Sequence, residues 1–379
     1  MSTPAAHDPA TPSQEPAPHG TVLAVGAYTS SGRGRGSGIQ LLSLQGSADA
    51  APVARHLATV ELEDPSFLLW SPDGTLLYAV QETSPSRLAA IRVRGDGSSA
   101  RLLDELELRG SGACHLAPGT TPGTLLVTHY GSGTVETVEL DEHGVPAEVI
   151  DVDDHHDHAD GADPHPHQVS RLPGTDLFAV PDLGLDRVFL YRQDVHGQAD
   201  LAGEIPLTRG MGPRHLAADH ESGQLFIACE LSGQVAVAAR RQDAGSFRQA
   251  TATGDPELSW SLRGAVAASR QPDRNDVSHI ELTADEGALL VANRGPDTLS
   301  LLSLVGMRPE VVAEVEIGEH PRHFTQLDDL VLVAAQESDR IDVLRRDGEQ
   351  LVVAGDPIPA PSATCLAARP GRAPAGLSH

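Results

Sequence analysis

The sequence predicts an all-β fold, a seven-bladed β-propeller of four-stranded antiparallel blades, and three observations predict it. An apolar run, a tight turn and a second apolar run recur together six times along the 379 residues, at the spacing of propeller blades. The 37 glycines and 28 prolines supply turns, while no stretch with the helical period is long enough to compete. Fragments of one more unit stand at the two ends of the chain, where pairing would close a ring and leave no exposed sheet edge.

Taken in order, MSTPAAHDPATPSQEPAPHG has neither a basic n-region nor an apolar h-region. Residues 1–19 read as a disordered tail, 20–370 as a single propeller and 371–379 as a second tail. VLAVGAYT and IQLLSL follow, two strands without a preceding inner one. The six copies are DPSFLLWSPDGTLLYAVQE from Asp64, GACHLAPGTTPGTLLVTHY from Gly112, HPHQVSRLPGTDLFAVPD from His165, GPRHLAADHESGQLFIACE from Gly212, DVSHIELTADEGALLVANR from Asp276 and HPRHFTQLDDLVLVAAQ from His320. Each reads as an antiparallel hairpin around a turn of Pro, Asp or Gly. A third strand follows each, such as RVFLYR or TLSLLSL, and several copies show a fourth, such as ARLLDELEL. ATCLAA near Cys365 falls where the next inner strand is due and completes the split seventh blade. A parallel β-helix would repeat at a much shorter spacing, and a pair of β-sandwiches would not give this agreement between copies.

Two columns in these copies are polar among apolar neighbours. The first is Ser66, Cys114, His167, Arg214, Ser278 and Arg322, with steps of 48, 53, 47, 64 and 44. The long step predicts an insertion around Gly254 to Arg274, and the His/Asp-rich stretch before His167 reads as another. The second column is Gln81, Tyr130, Asp182, Glu230, Arg294 and Gln336.

Composition excludes several chemistries. The formal net charge is −26, with pI near 4.9, and the chain contains no lysine. Schiff-base catalysis, pyridoxal phosphate anchored on a lysine and a GxxxxGK[ST] phosphate loop are therefore out. So acidic a chain does not hold nucleic acid or anionic lipid through a broad basic face. No apolar stretch reaches the roughly 18 residues of a membrane helix. Cys114, Cys229 and Cys365 are odd in number and widely spaced, and read as reduced thiols of a cytoplasmic protein.

In a propeller, the ends of the inner strands face the ligand in the channel. His167, Arg214, Glu230 and Arg294 come from three successive blades and are the candidate catalytic set. Two guanidiniums suit an anionic, carbonyl-bearing substrate, one as an oxyanion donor. His167 or Glu230 is placed to take a proton from water attacking a lactone and return it to the ring oxygen, with no metal or cofactor required. Arg322, Asp182, Gln336 and His165 are the candidate substrate-binding residues. The bland alternative for Arg214 and Glu230 is a structural salt bridge within one hairpin. His115, His215, His279 and His323 recur one step after the first column and read as a repeated structural slot. The run DVDDHHDHADGADPHPH from Asp151 is dense enough in His and Asp to bind a divalent metal, but it matches no closed zinc pattern and reads as a solvated loop, with metal binding the alternative. GRGRGSG from Gly32 has glycine spacing reminiscent of a nucleotide loop but lies between strands with no helix after it, and no GxSxG elbow is present.

VGAYTS, DPSFLLWSPDGTLLYAV, HPHQVSRLPGTDLFAVPDLGLDRVFLY, GPRHLA with CELSGQVAV, VANRGPDTLSLL and HPRHF together resemble the bacterial lactonase family of seven-bladed propellers, over Thr21 to the strand near Cys365. That family includes cycloisomerase-type 6-phosphogluconolactonases and carboxy-cis,cis-muconate lactonizing enzymes. The resemblance implies an active-site set of His167, Arg214, Arg294 and Glu230, and hydrolysis of 6-phospho-D-glucono-1,5-lactone to 6-phosphogluconate. A muconate-type cycloisomerase and a non-catalytic binding or scaffolding propeller are the alternatives. The expected partner is a small anionic lactone, with a monomer or weak homo-oligomer as the assembly.

Overall fold

In the computed structural model, which describes residues 20–30, 33–45, 52–159, 161–220, 223–240, 255–306 and 308–371, the strands assemble into seven antiparallel sheets. The two expected tails, 1–19 and 371–379, lie outside the described residues apart from Gly371.

Blade I has the order Ala363–Ala368, Thr21–Ala27, Ile39–Gln45, Val53–Val60 from the channel outward. The C-terminal strand is thus its inner strand, as the ring closure predicts. Its register runs from Leu23 opposite Ala368 to Ala27 opposite Ala363. The inner strands of the remaining blades are Pro65–Trp70 (II), Ala113–Pro118 (III), Ser170–Arg171 (IV), Pro213–Ala218 (V), Asp276–Leu282 (VI) and Pro321–Leu327 (VII). In blade VII the outer edge is split, with Gln350–Val353 and Ile358–Pro359 both pairing Arg340–Asp347.

The core is seven slabs, each sealed between two adjacent blades. Val22, Ile39 and Leu41 of blade I pack with Leu68, Trp70 and Leu77 of blade II. Leu177, Leu190 and Ile205 of blade IV pack with Leu216, Leu225 and Ile227 of blade V. A middle strand is therefore covered on both faces, which is why Leu76–Gln81 and Thr124–His129 are buried at every residue. Outer strands such as Ala100–Glu107 have little cover and mix exposed with half-buried residues. Aliphatic side chains fill these slabs, which agrees with an aromatic content of only 3%.

One irregularity repeats in every blade. At the channel end of each inner strand the pairing slips by one residue: Pro65 faces Gln81 but Phe67 faces Val80, and Pro213 faces Cys229 but His215 faces Ala228. Blade IV passes from Pro166 opposite Asp182 to Ser170 opposite Ala179. Such a bulge leaves one residue unpaired and re-aims its side chain. The first polar column falls at this slip, joined by Thr364 of blade I, which lies between Ala363 opposite Ala27 and Cys365 opposite Gly26.

The registers correct three sequence expectations. Gln81 and Asp182 do not share a position with Tyr130, Glu230 and Arg294. They are level with His129 and Cys229, one residue earlier, because each faces the proline before its bulge. The residue at the channel position in blade II is Glu82 and in blade IV Leu183. The stretch Gly254 to Arg274 is not simply an insertion, since Trp260–Ala267 within it is the outer strand of blade V; its first residue lies outside the described residues. Likewise the His/Asp run is not all insertion: Pro146–Asp154, the outer strand of blade III, takes its first four residues, and a 3-10 turn at His155–His158 follows.

If the C-terminal strand closes the ring, deleting residues 363–379 removes the inner strand of blade I, exposes the edge of Thr21–Ala27 and uncovers the face of Pro65–Trp70 that packs on it. The expected outcome in thermal denaturation followed by circular dichroism is a Tm loss of more than about 10 °C or an insoluble product. A loss below about 2 °C contradicts this closure.

Candidate active site

Three tiers of side chains line the channel. At the mouth stand the residues that end each second strand: Tyr28, Glu82, Tyr130, Glu230, Arg294 and Gln336, with Leu183 completing the ring. Backbone hydrogen bonds fix this tier, since Tyr28, Glu82, Tyr130, Leu183, Glu230 and Gln336 each donate their N–H to the carbonyl two residues before a bulge. The bulge tier beneath is Thr364, Ser66, Cys114, His167, Arg214, Ser278 and Arg322. All of these but Ser278 line one small enclosed cavity.

The predicted set does converge. Glu230 Oε2 lies 3.0 Å from Arg214 Nε and 2.6 Å from Arg294 Nη2. Arg294 Nε donates to the Asp276 carbonyl at 2.9 Å, and Arg214 Nη1 donates to the Ser278 carbonyl. Arg214 is only 2% exposed. Burial, together with the Arg294 charge, lowers its pKa to about 9 against the pull of Glu230, so it stays protonated at neutral pH. Burial alone would raise the Glu230 carboxyl, but Arg294 and Arg214 outweigh it and hold it below the usual range. Burial, then Arg214, Arg322 and Arg294, pushes His167 well below the ordinary histidine value, so its ring is neutral. His167 Nδ1 is buried and has no hydrogen-bond partner.

The four predicted binding residues separate. Arg322 joins the cavity with His167 and lies over the Tyr28 ring, 5.0 Å from its centroid. Its Nη2 is 3.7 Å from Glu82 Oε2. His165 sits at the mouth, stacked on Tyr130 at 4.3 Å, with its Nδ1 2.8 Å from the Tyr130 carbonyl. Gln336 donates to Glu337 Oε1 at 2.8 Å and keeps a buried Oε1 without a partner. Asp182 is different. It is 0% exposed, its Oδ1 accepts from the N–H groups of His165, Gly184 and Leu185, and its Oδ2 lies 2.6 Å from His155 Nδ1. With both oxygens engaged behind the channel wall, it shapes the loop carrying His165 and His167 in place of the ligand contact expected of it.

Sequence reasoning missed Glu82, Tyr28, Thr364 and His320. Burial, then Arg294, Arg322 and Arg214, lowers His320 to about 4. The His-Pro pair it shares with His165 and Pro166 was the available signal.

The third tier closes the channel. Phe67, His115, His215, His279 and His323 contact one another ring to ring, at centroid distances from 4.0 Å for Phe67 and His115 to 5.7 Å for His115 and His215. His215 Nδ1 and His279 Nδ1 are 2.8 Å apart, which requires one to accept from the other and so at least one neutral ring. This is the repeated structural slot expected of these histidines. Among the described residues, no group of three or more His, Cys, Asp or Glu side chains is arranged to hold a metal. A larger cleft lies on the opposite face, between blades V and VI, and shares no residue with the channel.

The buried histidine, the two guanidiniums and the carboxylate bridging them at the channel end of the propeller form the candidate site. The chain belongs to the lactonase, 7-bladed β-propeller family, whose model matches residues 22–368. It is 22% identical over 334 residues to a 6-phosphogluconolactonase of Bacillus subtilis, covering 86% of this chain and 91% of that protein. An uncharacterised Lactococcus lactis protein is 25% identical over 84% of this chain and 92% of its own length. Among solved structures, a periplasmic gluconolactonase of Pseudomonas aeruginosa superposes with a TM-score of 0.79 at 24% identity, covering 92% of this chain and 99% of that one. No helix among the described residues is long and apolar enough to cross a membrane.

Six buried histidines, His115, His129, His167, His215, His279 and His323, and the half-buried His320 are held below their ordinary value, chiefly by loss of solvent. The unfolded chain protonates them below about pH 6.5, whereas the native state excludes those protons. Their stabilisation is present above that pH and is lost as pH falls, at about 1.4 kcal/mol per pH unit for each group. Urea unfolding is expected to show a lower midpoint at pH 5.5 than at pH 7.5. A midpoint unchanged or raised at pH 5.5 contradicts the neutral buried tier.

Proposed function

We propose that the protein hydrolyses a sugar δ-lactone, with 6-phospho-D-glucono-1,5-lactone as the substrate. The observation that carries this reading is a convergence of unmet polar groups. His167 Nδ1, Gln336 Oε1 and Thr364 Oγ1 are all buried without a hydrogen-bond partner, and all belong to the upper two tiers. Beside them the two arginines meet Glu230 at 3.0 and 2.6 Å. Leaving such groups unsatisfied costs about 1–3 kcal/mol each, so the channel is built for an oxygen-rich occupant. The family membership and the Bacillus subtilis relative support a lactone as that occupant.

The residues divide the work as follows. Water attacks the lactone carbonyl carbon while His167 takes its proton. The tetrahedral oxyanion forms against Arg214 and Arg294, whose charges are already in place and need no rearrangement. The carbon–ring oxygen bond then breaks, the leaving oxygen takes the proton from the His167 imidazolium, and the product is a hydroxy acid that ionises to its carboxylate. Glu230 holds both guanidiniums, so its carboxylate is engaged by them while the His167 Nδ1 is unpartnered. Negative charge on a bound substrate offsets the arginines that depress His167, so its proton affinity rises when the reaction requires it.

Lactone disappearance, corrected for spontaneous hydrolysis, tests this. Arg214→Gln and Arg294→Gln are expected to lower kcat/KM by about 100-fold or more with Tm within roughly 5 °C of wild type. Wild-type kcat/KM, corrected for substrate ionisation, should hold from pH 7.5 through the ordinary histidine value and fall only in more acid solution, because the free base titrates below that value. Full activity in both variants, or a fall centred near pH 6.5 or above, overturns the assignment.

A further inference from the structure

The channel holds a second carboxylate between two guanidiniums, facing the first across the ring. Glu82 of blade II accepts from Tyr28 Oη at 2.7 Å, lies 2.5 Å from Arg33 Nη1 and 3.7 Å from Arg322 Nη2. Both guanidiniums also lie against the Tyr28 ring, at 5.4 and 5.0 Å from its centroid. Arg322 is largely buried and shares the cavity of His167 and Arg214, and its one acidic contact is too long for a hydrogen bond. Its fork of donors is thus left for a ligand. The Arg33 side chain is 48% exposed and its Glu82 partner 10%, so the arginine reaches in from the rim.

Arg33 owes this position to the glycine-rich stretch GRGRGSG, of which the structure describes Arg33 onward. Gly34 and Gly36 donate their N–H groups to the carbonyls of Thr29 and Tyr28. A Cβ on Gly34 would come within 2.5 Å of the Tyr28 carbonyl oxygen, and one on Gly36 within 2.5 Å of Ala27 Cβ, so only glycine lets the loop fold this tightly over blade I. Its two arginines then point to different neighbours. Arg35 pairs with Asp339 at 2.6 Å and is 64% exposed, whereas Arg33 pairs with Glu82 at the channel.

Four guanidiniums against two carboxylates make the channel locally cationic, in a chain whose net charge is −26. One pair of arginines is assigned above to the reacting carbonyl. We propose that the other pair, Arg33 and Arg322, forms a subsite for a second oxyanion, the phosphate monoester at the far end of the lactone, and that Arg33 is the specificity-determining residue. Arg322 offers donors that are already free, and Arg33 exchanges Glu82 for the phosphate, with two N–H groups directed at two oxygens. Glu82 keeps Tyr28 as its donor when Arg33 leaves. This inference rests on the lactonase reading and adds to it which residues select a phosphorylated substrate.

The test compares kcat/KM for 6-phosphoglucono-1,5-lactone with that for unphosphorylated glucono-1,5-lactone in wild type, Arg33→Ala and Arg35→Ala. In Arg33→Ala the ratio is expected to fall at least 10-fold, while Arg35→Ala, whose partner Asp339 lies outside the channel, keeps the wild-type ratio. A second readout is independent of turnover: millimolar inorganic phosphate should raise the Tm of wild type and Arg35→Ala but not of Arg33→Ala. An unchanged ratio in an active Arg33→Ala enzyme, or equal phosphate protection of all three proteins, overturns the subsite. If wild type hydrolyses neither lactone, the lactonase reading fails, and phosphate protection alone then decides whether Arg33 belongs to an anion site.

Discussion

A one-residue slip at the channel end of each inner strand determines most of what this channel can do. A regular strand would alternate its side chains between the two faces of the blade, both of which are buried in apolar slabs, and a polar residue there would cost several kcal/mol without partners. The slip releases one residue per blade from that alternation and turns it toward the axis. Thr364, Ser66, Cys114, His167, Arg214, Ser278 and Arg322 owe their place to it. The slabs are what hold the slip open, because the rest of each strand is fixed on both sides by its neighbours.

Charge is organised on that frame. Three guanidiniums with 20% or less of their side chains exposed would repel one another if left alone, and Glu230 and Glu82 divide them between two sides of the ring. Neither carboxylate cancels the field around it. Burial, with the residual positive potential, keeps His167 unprotonated, and that potential makes the site receptive to an anion that the acidic remainder of the protein repels. The imidazole tier beneath, neutral and ring-packed, gives the cavity a floor that is polarisable but uncharged. Stability and chemistry are thereby linked, since acid that protonates this floor undermines the same histidines that the active arrangement requires to be neutral.

The fold was legible because each blade repeats the same physical problem and solves it with similar residues. The ends of the chain showed the ring closure through the missing inner strand before Thr21 and the surplus one at Ala363. The reactive set was legible for a related reason: Arg214 and His167 occupy bulge positions that the repeat exposes as a polar column, and Glu230 and Arg294 end the strands beside them. What was hidden depended on register. Gln81 and Asp182 are polar, as channel residues should be, but each lies one residue before the channel position, so Glu82 went unnoticed and Asp182 was given a role its buried hydrogen bonds preclude. Tyr28 and Thr364 belong to the split blade, where no local hairpin shows their equivalence. The GRGRGSG loop read as a failed nucleotide motif because its function is to bend backbone over a neighbouring strand, and that is visible only in three dimensions.

The central claim is that the channel, with its unmet polar groups, is where a lactone and its product reside. A crystal structure of the wild-type protein soaked with 6-phosphogluconate tests this most directly. The account predicts the product carboxylate against Arg214 and Arg294, within reach of His167, with the phosphate on Arg322 and Arg33. Product bound in the cleft between blades V and VI, or a channel holding only water at saturating product, would contradict it.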